Sequence, residues 1–167
     1  MSDELARRFP ELEWRITAAS SSQLTDGASA VLIVSERAAE RFDLRPRARF
    51  RGFHACGDDP MFMLTAPIAA TRTLLERTGL TVDDIDHFEV NEAFASVPLA
   101  WQAELGADLA RVNPRGGAIA LGHPIGATGC RLFTTMLHAL EYNGGRLGLQ
   151  TVCEAGGMAN ALVLQRM

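Results

Sequence analysis

The sequence contains no lysine: all 16 of its basic residues are arginine. That one absence excludes a P-loop nucleotide site, a pyridoxal-phosphate Schiff base and a lysine-imine aldolase, because each depends on a lysine amine. Cysteine is scarce too, with three residues and no C-x-x-C spacing, which argues against a disulfide framework and against a zinc site. His54 and Cys56 have the types of metal ligands but no further ligand at a suitable spacing. No apolar run approaches the ~18 residues of a membrane span. The opening residues MSDELARRFPEL lack a signal-peptide pattern, so the expected location is the cytoplasm, with no membrane partner. A net charge of −4, with 20 acidic groups, makes nucleic acid an unexpected partner.

What is present suits a compact α/β domain of 167 residues, 47% hydrophobic and 22% charged. Ala28–Ser35 is a β-rich apolar run fit for a buried strand, and Ala48–Cys56 reads as a second strand after a short helix near Glu36–Phe42. Pro67 marks the start of a helix that places Ile68, Leu74 and Leu75 inward and stops at Gly79. Thr81–Asp84 is a helix-entry box, and Ile85–Val90 is a short buried strand. A helix follows from about Ala95 to Leu105, with Pro98 tolerable only in its first turn. A longer one from about Gly126 to Asn143 carries Leu132, Phe133, Met136, Leu137 and Leu140 on one face. Leu147–Cys153 and Met158–Gln165 complete the pattern as two strands joined by a glycine turn.

Three segments stand apart from this framework. Asn113–Cys130, NPRGGAIALGHPIGATGC, sets five glycines around a single His-Pro. Glycine at that density lets backbone approach a ligand closely, and a histidine fixed there is a candidate acid or base, since its charge changes near neutrality. Asn91-Glu92-Ala93-Phe94-Ala95 follows the short strand, so Asn91 lies at the carboxyl end of a strand, the edge where α/β sheets bind ligands. Val152-Cys153-Glu154-Ala155-Gly156-Gly157-Met158 puts a cysteine directly before a turn. Read singly, Asn91 is a helix cap, Cys153 a strand cysteine and His123 a loop histidine.

Taken in order, the NEAF, GHP and C-x-x-G-G blocks resemble the thiolases, which cleave 3-ketoacyl-CoA or condense acyl-CoA with acetyl-CoA. Thr17–Ala30, TAASSSQLTDGASA, is similar to a further thiolase block, so the likeness spans nearly the whole chain. The resemblance implies one of the two α/β half-domains of that family, the C-terminal one over 1–167: a five-stranded mixed sheet with helices on both faces. It implies that His123 activates a nucleophilic cysteine and donates to an oxyanion. It implies too that Asn91 holds a water in the same oxyanion hole, and that Cys153 shuttles a proton to and from substrate carbon or CoA sulfur. The backbone N–H of Ala155 is the corresponding second oxyanion donor. Ser22 and Phe94 match positions near the pantetheine arm.

The family's acylated cysteine belongs to an N-terminal half without counterpart in this sequence. Cys56 lies far from that nucleophile block and reads as a buried structural thiol, and Cys130, just inside its helix, reads as structural. His54, His87 and His138 lack motif context. The expected substrates are coenzyme A thioesters, with no metal or other cofactor; the expected partners are CoA, an N-terminal thiolase half and further copies of the chain. Alone, the chain is expected to be inactive. The alternative is a non-catalytic CoA-binding or dimerisation subunit that keeps the fold. Two departures bear on this choice: Ala155 stands where the family has glycine, and Ala19 and Ser20 where it commonly has Gly and Asn. The basic run Arg45–Arg51 reads as a solvated strand edge or as a contact for CoA phosphates.

Overall fold

The computed structural model describes residues 3–11, 13 and 15–167. Its elements in chain order are α1 (Asp3–Arg8), α2 (Glu36–Arg41), β1 (Ala48–Gly57), α3 (Ala66–Thr78), β2 (His87–Val90), α4 (Ser96–Leu105), α5 (Ala118–Leu121), α6 (Thr128–Asn143), β3 (Leu147–Glu154) and β4 (Met158–Arg166). The strands form one mixed sheet in the order β1-β4-β3-β2, with β2 parallel to β3 and the other pairs antiparallel. A single bridge from Val112 to Phe88 extends it beyond β2.

The helix limits follow from local chemistry. Pro67 sits in the first turn of α3 and Pro98 in that of α4, where a missing N–H costs nothing. Gly79, Gly106 and Gly144 end α3, α4 and α6 in left-handed conformations (φ 67°, 71° and 74°). At Thr81–Asp84 the entry box is formed, but it closes only a tight helical turn, because the chain must straighten at once into β2.

Alternation along the strands sorts the core into two layers. Ala159, Ala161 and Val163 of β4 join Leu149 of β3 and Phe88 and Val90 of β2 against α3 and the fully buried Trp101 of α4. On the other face, Leu162 and Leu164 meet Met136, Leu137 and Leu140 of α6. Helices thus cover both faces, and residues His87, Glu89 and Gln150, of one parity with Gly148 beneath Met136, look toward α6.

One expectation is overturned. Ala28–Ser35 is extended coil with Leu32 and Ile33 79% and 68% exposed, so the sheet has four strands where five were anticipated. The residue types are right for a strand, but the segment forms no ladder with β1, the edge strand it passes. It arches instead over β1 and α6, enclosing a cleft of about 530 Å³ with Phe50, Phe133, Leu137 and Leu164 in its wall.

Candidate active site

Asn91 is the first residue past β2, and its N–H donates to the Thr151 carbonyl at 3.0 Å, which locks it beside β3. Two residues further along β3, Cys153 faces the Asn91 amide. Burial pushes the Cys153 thiol up, while the Asn91 side chain favours the thiolate without a hydrogen bond of ordinary geometry. Asn91 is 1% exposed, and neither amide atom has a partner among the described residues.

The turn after Cys153 depends on two glycines, Gly156 (φ 83°) and Gly157 (φ 81°). At Gly157 a β-carbon would lie 2.9 Å from the Asp58 carbonyl oxygen. Ala155 keeps an ordinary negative φ, so alanine presents its backbone N–H in the turn at no conformational cost.

His123 is fixed from both sides. Its N–H donates to the Gln23 carbonyl at 2.9 Å, and its ring Nδ1 lies 2.7 Å from the Thr128 hydroxyl at the start of α6. That hydroxyl already gives its only proton to the Pro124 carbonyl at 2.9 Å, so it accepts from Nδ1–H and leaves Nε2 of the neutral ring free to accept. Burial, and then the charge of Arg131, lower the pKa of the imidazole.

The GHP loop is tied to the Asn91 end of the sheet by Glu92, which sequence reasoning passed over. Its carboxylate accepts from the Ile119 N–H at 3.0 Å and the Asn113 amide at 2.9 Å, and it fills the space a side chain at Gly117 would need. Asn113, at φ 45°, uses the same amide to bond Val90 as a strand would. The segment from Ser20 to Leu24 completes the frame: Ser22 N–H donates to Ala93 at 3.0 Å, Ser21 bridges Phe94, and Leu24 bridges His123. Asn91 and Cys153 are therefore adjacent, and His123, Ser22 and Phe94 are joined to that strand end by backbone bonds. No direct hydrogen bond links His123 with Cys153 among the described residues.

The remaining candidates lie apart. Cys56 is half-buried, its thiol directed at the Ala66 carbonyl at 3.9 Å and pushed up in pKa by burial and Asp58; Cys130 is exposed on α6. In the basic run, Arg47 pairs with Glu141 and Arg49 reaches Gln165, along the edge strand β1. His87 is buried against Glu89 at 2.7 Å. The cleft under Ala30–Val34 is lined by none of the candidate site residues.

Residues 44–166 match the family model described as thiolase, C-terminal domain. The chain is 61% identical over 153 residues to the steroid 3-ketoacyl-CoA thiolase FadA6 of Mycobacterium tuberculosis, covering 92% of this chain and 38% of that protein. It is 44% identical over 167 residues to an acetyl-CoA acetyltransferase of Chromobacterium violaceum, covering 99% of this chain and 43% of that protein. The crystal structure of human mitochondrial 3-ketoacyl-CoA thiolase in complex with CoA superposes with a TM-score of 0.88 at 39% identity, over 91% of this chain and 39% of that one. The chain thus spans about two fifths of the length of these relatives.

Proposed function

Since the chain belongs to the thiolase family through its C-terminal domain, we propose that it supplies His123, Asn91 and Cys153 to acyl transfer between coenzyme A thioesters. The nucleophilic cysteine comes from an N-terminal thiolase half, in the same polypeptide or as a separate subunit. The observation that carries this reading is the geometry at His123: Nδ1 lies 2.7 Å from a Thr128 hydroxyl that is itself 2.9 Å from the Pro124 carbonyl, an arrangement that suits Nδ1–H and an accepting Nε2.

The chemistry follows from that arrangement. Nε2 takes the proton of the nucleophilic thiol, and the resulting thiolate adds to the substrate carbonyl. The imidazolium then donates from Nε2 to an oxyanion, while the Ala155 N–H and the orphaned Asn91 amide, the latter through a water, stand as preorganised donors. Cys153 handles the proton on carbon. Its burial keeps it a thiol at rest, which fits cleavage of a 3-ketoacyl-CoA: the carbon–carbon bond breaks, and the departing carbanion of acetyl-CoA takes the Cys153 proton. The thiolate so formed is favoured by Asn91. The CoA thiol then gives its proton to the Cys153 thiolate, its sulfur attacks the acylated cysteine, and the nucleophile leaves as a thiolate that regains its proton from the His123 imidazolium.

The need for a second half has its own support. Leu24, Leu32, Ile33, Phe53 and Ile125 are each at least 68% exposed, apolar side chains that a second half would cover. We assign the Ala28–Ser35 segment and the cleft beneath it to the interface with the N-terminal half.

The test is reconstitution. Purified chain is mixed or co-expressed with an N-terminal thiolase half carrying its cysteine, and thiolysis of acetoacetyl-CoA is followed by loss of enolate absorbance. Turnover is expected only from the combination, reduced by about 10²-fold or more in Cys153→Ala and little changed in Cys130→Ala. Robust activity of the chain alone, abolished by Cys56→Ala, would overturn the assignment; CoA binding without turnover in any combination would favour a scaffold role.

A further inference from the structure

Beneath the candidate site lies a layer of buried polar groups that the proposed chemistry does not use. Glu89 of β2 and Gln150 of β3 are direct partners in the parallel register, both on the α6 face and 0% and 3% exposed. One oxygen of Glu89 bonds His87; the other, and the side-chain oxygen of Gln150, have no hydrogen-bond donor among the described residues. Opposite them, on the first turn of α6, all three guanidinium nitrogens of Arg131 are buried and equally without a partner. The helix comes close at this point, since a β-carbon at Gly129 would lie 3.9 Å from the Gln150 amide nitrogen. A guanidinium has five N–H donors and no acceptor, whereas the two oxygens only accept, so the donor and acceptor sets of this layer are complementary.

Burying such a set costs several kcal/mol per charge unless its members satisfy one another. No hydrogen bond or ion pair joins Arg131 directly to Glu89 or Gln150 among the described residues; the guanidinium acts on the Glu89 carboxyl as a nearby positive charge. The position on α6 gives the layer a purpose. Thr128 and Arg131 are three residues apart and so share a helix face. Thr128 grips the His123 ring, and the Arg131 charge reaches both the imidazole and Glu89 of β2, the strand whose end carries Asn91.

We propose that Arg131 is a positioning residue for His123: it shares a helix face with Thr128, which holds the imidazole, and its buried guanidinium sets the start of α6 against Glu89 and Gln150. This rests on the reading of His123 as the base. Removing any one member leaves the others buried and unpaired, so the layer acts as a unit. Three further charged groups belong to the surroundings of the imidazole. Glu92 is on the loop after β2, Glu89 lies behind Arg131, and Asp26 is exposed on the segment that runs past Pro124.

The experiment has one arm that does not need catalysis. In the chain as it is, the His123 ring Cε1–H signal, assigned by its loss in His123→Gln, is followed by NMR through a pH titration in wild type, Arg131→Met and Arg131→Lys. The expected result is a midpoint that moves up in Arg131→Met, because a nearby positive charge has gone, with a changed ring chemical shift, and that returns toward wild type in Arg131→Lys. In the reconstituted enzyme Arg131→Met should lower kcat about tenfold or more and leave KM within about twofold. An unmoved His123 midpoint and ring shift in a folded Arg131→Met chain would overturn the proposal. If that variant does not fold, Gln150→Leu replaces it, and an unchanged His123 ring shift together with unchanged kcat would overturn it equally. Wild-type reconstitution that gives no turnover would count against the thiolase chemistry alone, since the titration still reads the network.

Discussion

The Nδ1 of His123 lies 2.7 Å from the Thr128 hydroxyl, and that hydroxyl spends its proton on the Pro124 carbonyl. The threonine that opens α6 thereby sets the tautomer of a histidine in the preceding loop. Thr128→Val keeps the shape and removes the acceptor. In the reconstituted enzyme it should lower kcat by roughly 10- to 10²-fold. Nitrogen-15 NMR of the neutral ring should show the Nδ1–H tautomer in wild type and a mixture in the variant; an Nε2–H tautomer in wild type would contradict the assignment.

Thiol reactivity should separate the three cysteines. Cys130 is exposed, whereas burial raises the pKa of Cys153 and of Cys56, and only the thiolate reacts. Iodoacetamide at neutral pH should label Cys130 first by mass spectrometry. Cys153 should gain on it as pH rises past the ordinary thiol range. Labelling of Cys153 ahead of Cys130 at neutral pH would show a thiolate that the burial does not allow.

The pH dependence of stability has a defined sign. His123 has a lowered pKa in the fold, so the unfolded chain binds more protons in the histidine range, and stability drops as pH falls through it. Cys153 has a raised pKa, so its contribution is present below the ordinary thiol range and is lost as pH rises through the folded value. Urea midpoints should therefore peak between the two ranges. In His123→Gln the acid limb should flatten, and in Cys153→Ala the alkaline one.

Gly157 and Ala155 should respond oppositely to their neighbours' identity. Gly157→Ala combines a left-handed φ of 81° with a β-carbon 2.9 Å from backbone, and should lower stability by about 1–3 kcal/mol. Ala155→Gly should change it by under about 1 kcal/mol, at the cost of a looser turn. Thermal unfolding of the two variants distinguishes them.

Leu32 and Ile33 touch solvent more than core, 79% and 68% exposed. Leu32→Asp with Ile33→Asp should leave the unfolding midpoint of the isolated chain nearly unchanged and prevent assembly with an N-terminal half, read by sedimentation. A large loss of stability in the isolated chain would mean that the segment is core rather than interface.

Much of this was legible from residue order. The limits of α3, α4 and α6 are written in Pro67, Pro98, Gly79 and Gly144, whose backbone preferences act within one turn. Asn91, His123 and Cys153 announced themselves by the short blocks around them, since a strand end or a glycine turn is a local arrangement. Tertiary structure alone decided three things. Ala28–Ser35 has the composition of a strand, yet a strand needs a ladder with a neighbour's backbone, and folding carries this segment over β1 and α6 without forming one. Glu92 and Thr128 lie inside the motif blocks and Arg131 just past one, but what each does shows only when folding sets them against Ile119, His123 and the Glu89–Gln150 pair. The exposed apolar surface is likewise invisible in a composition of 47% hydrophobic residues, because burial is a property of the assembled faces and not of the residues that make them.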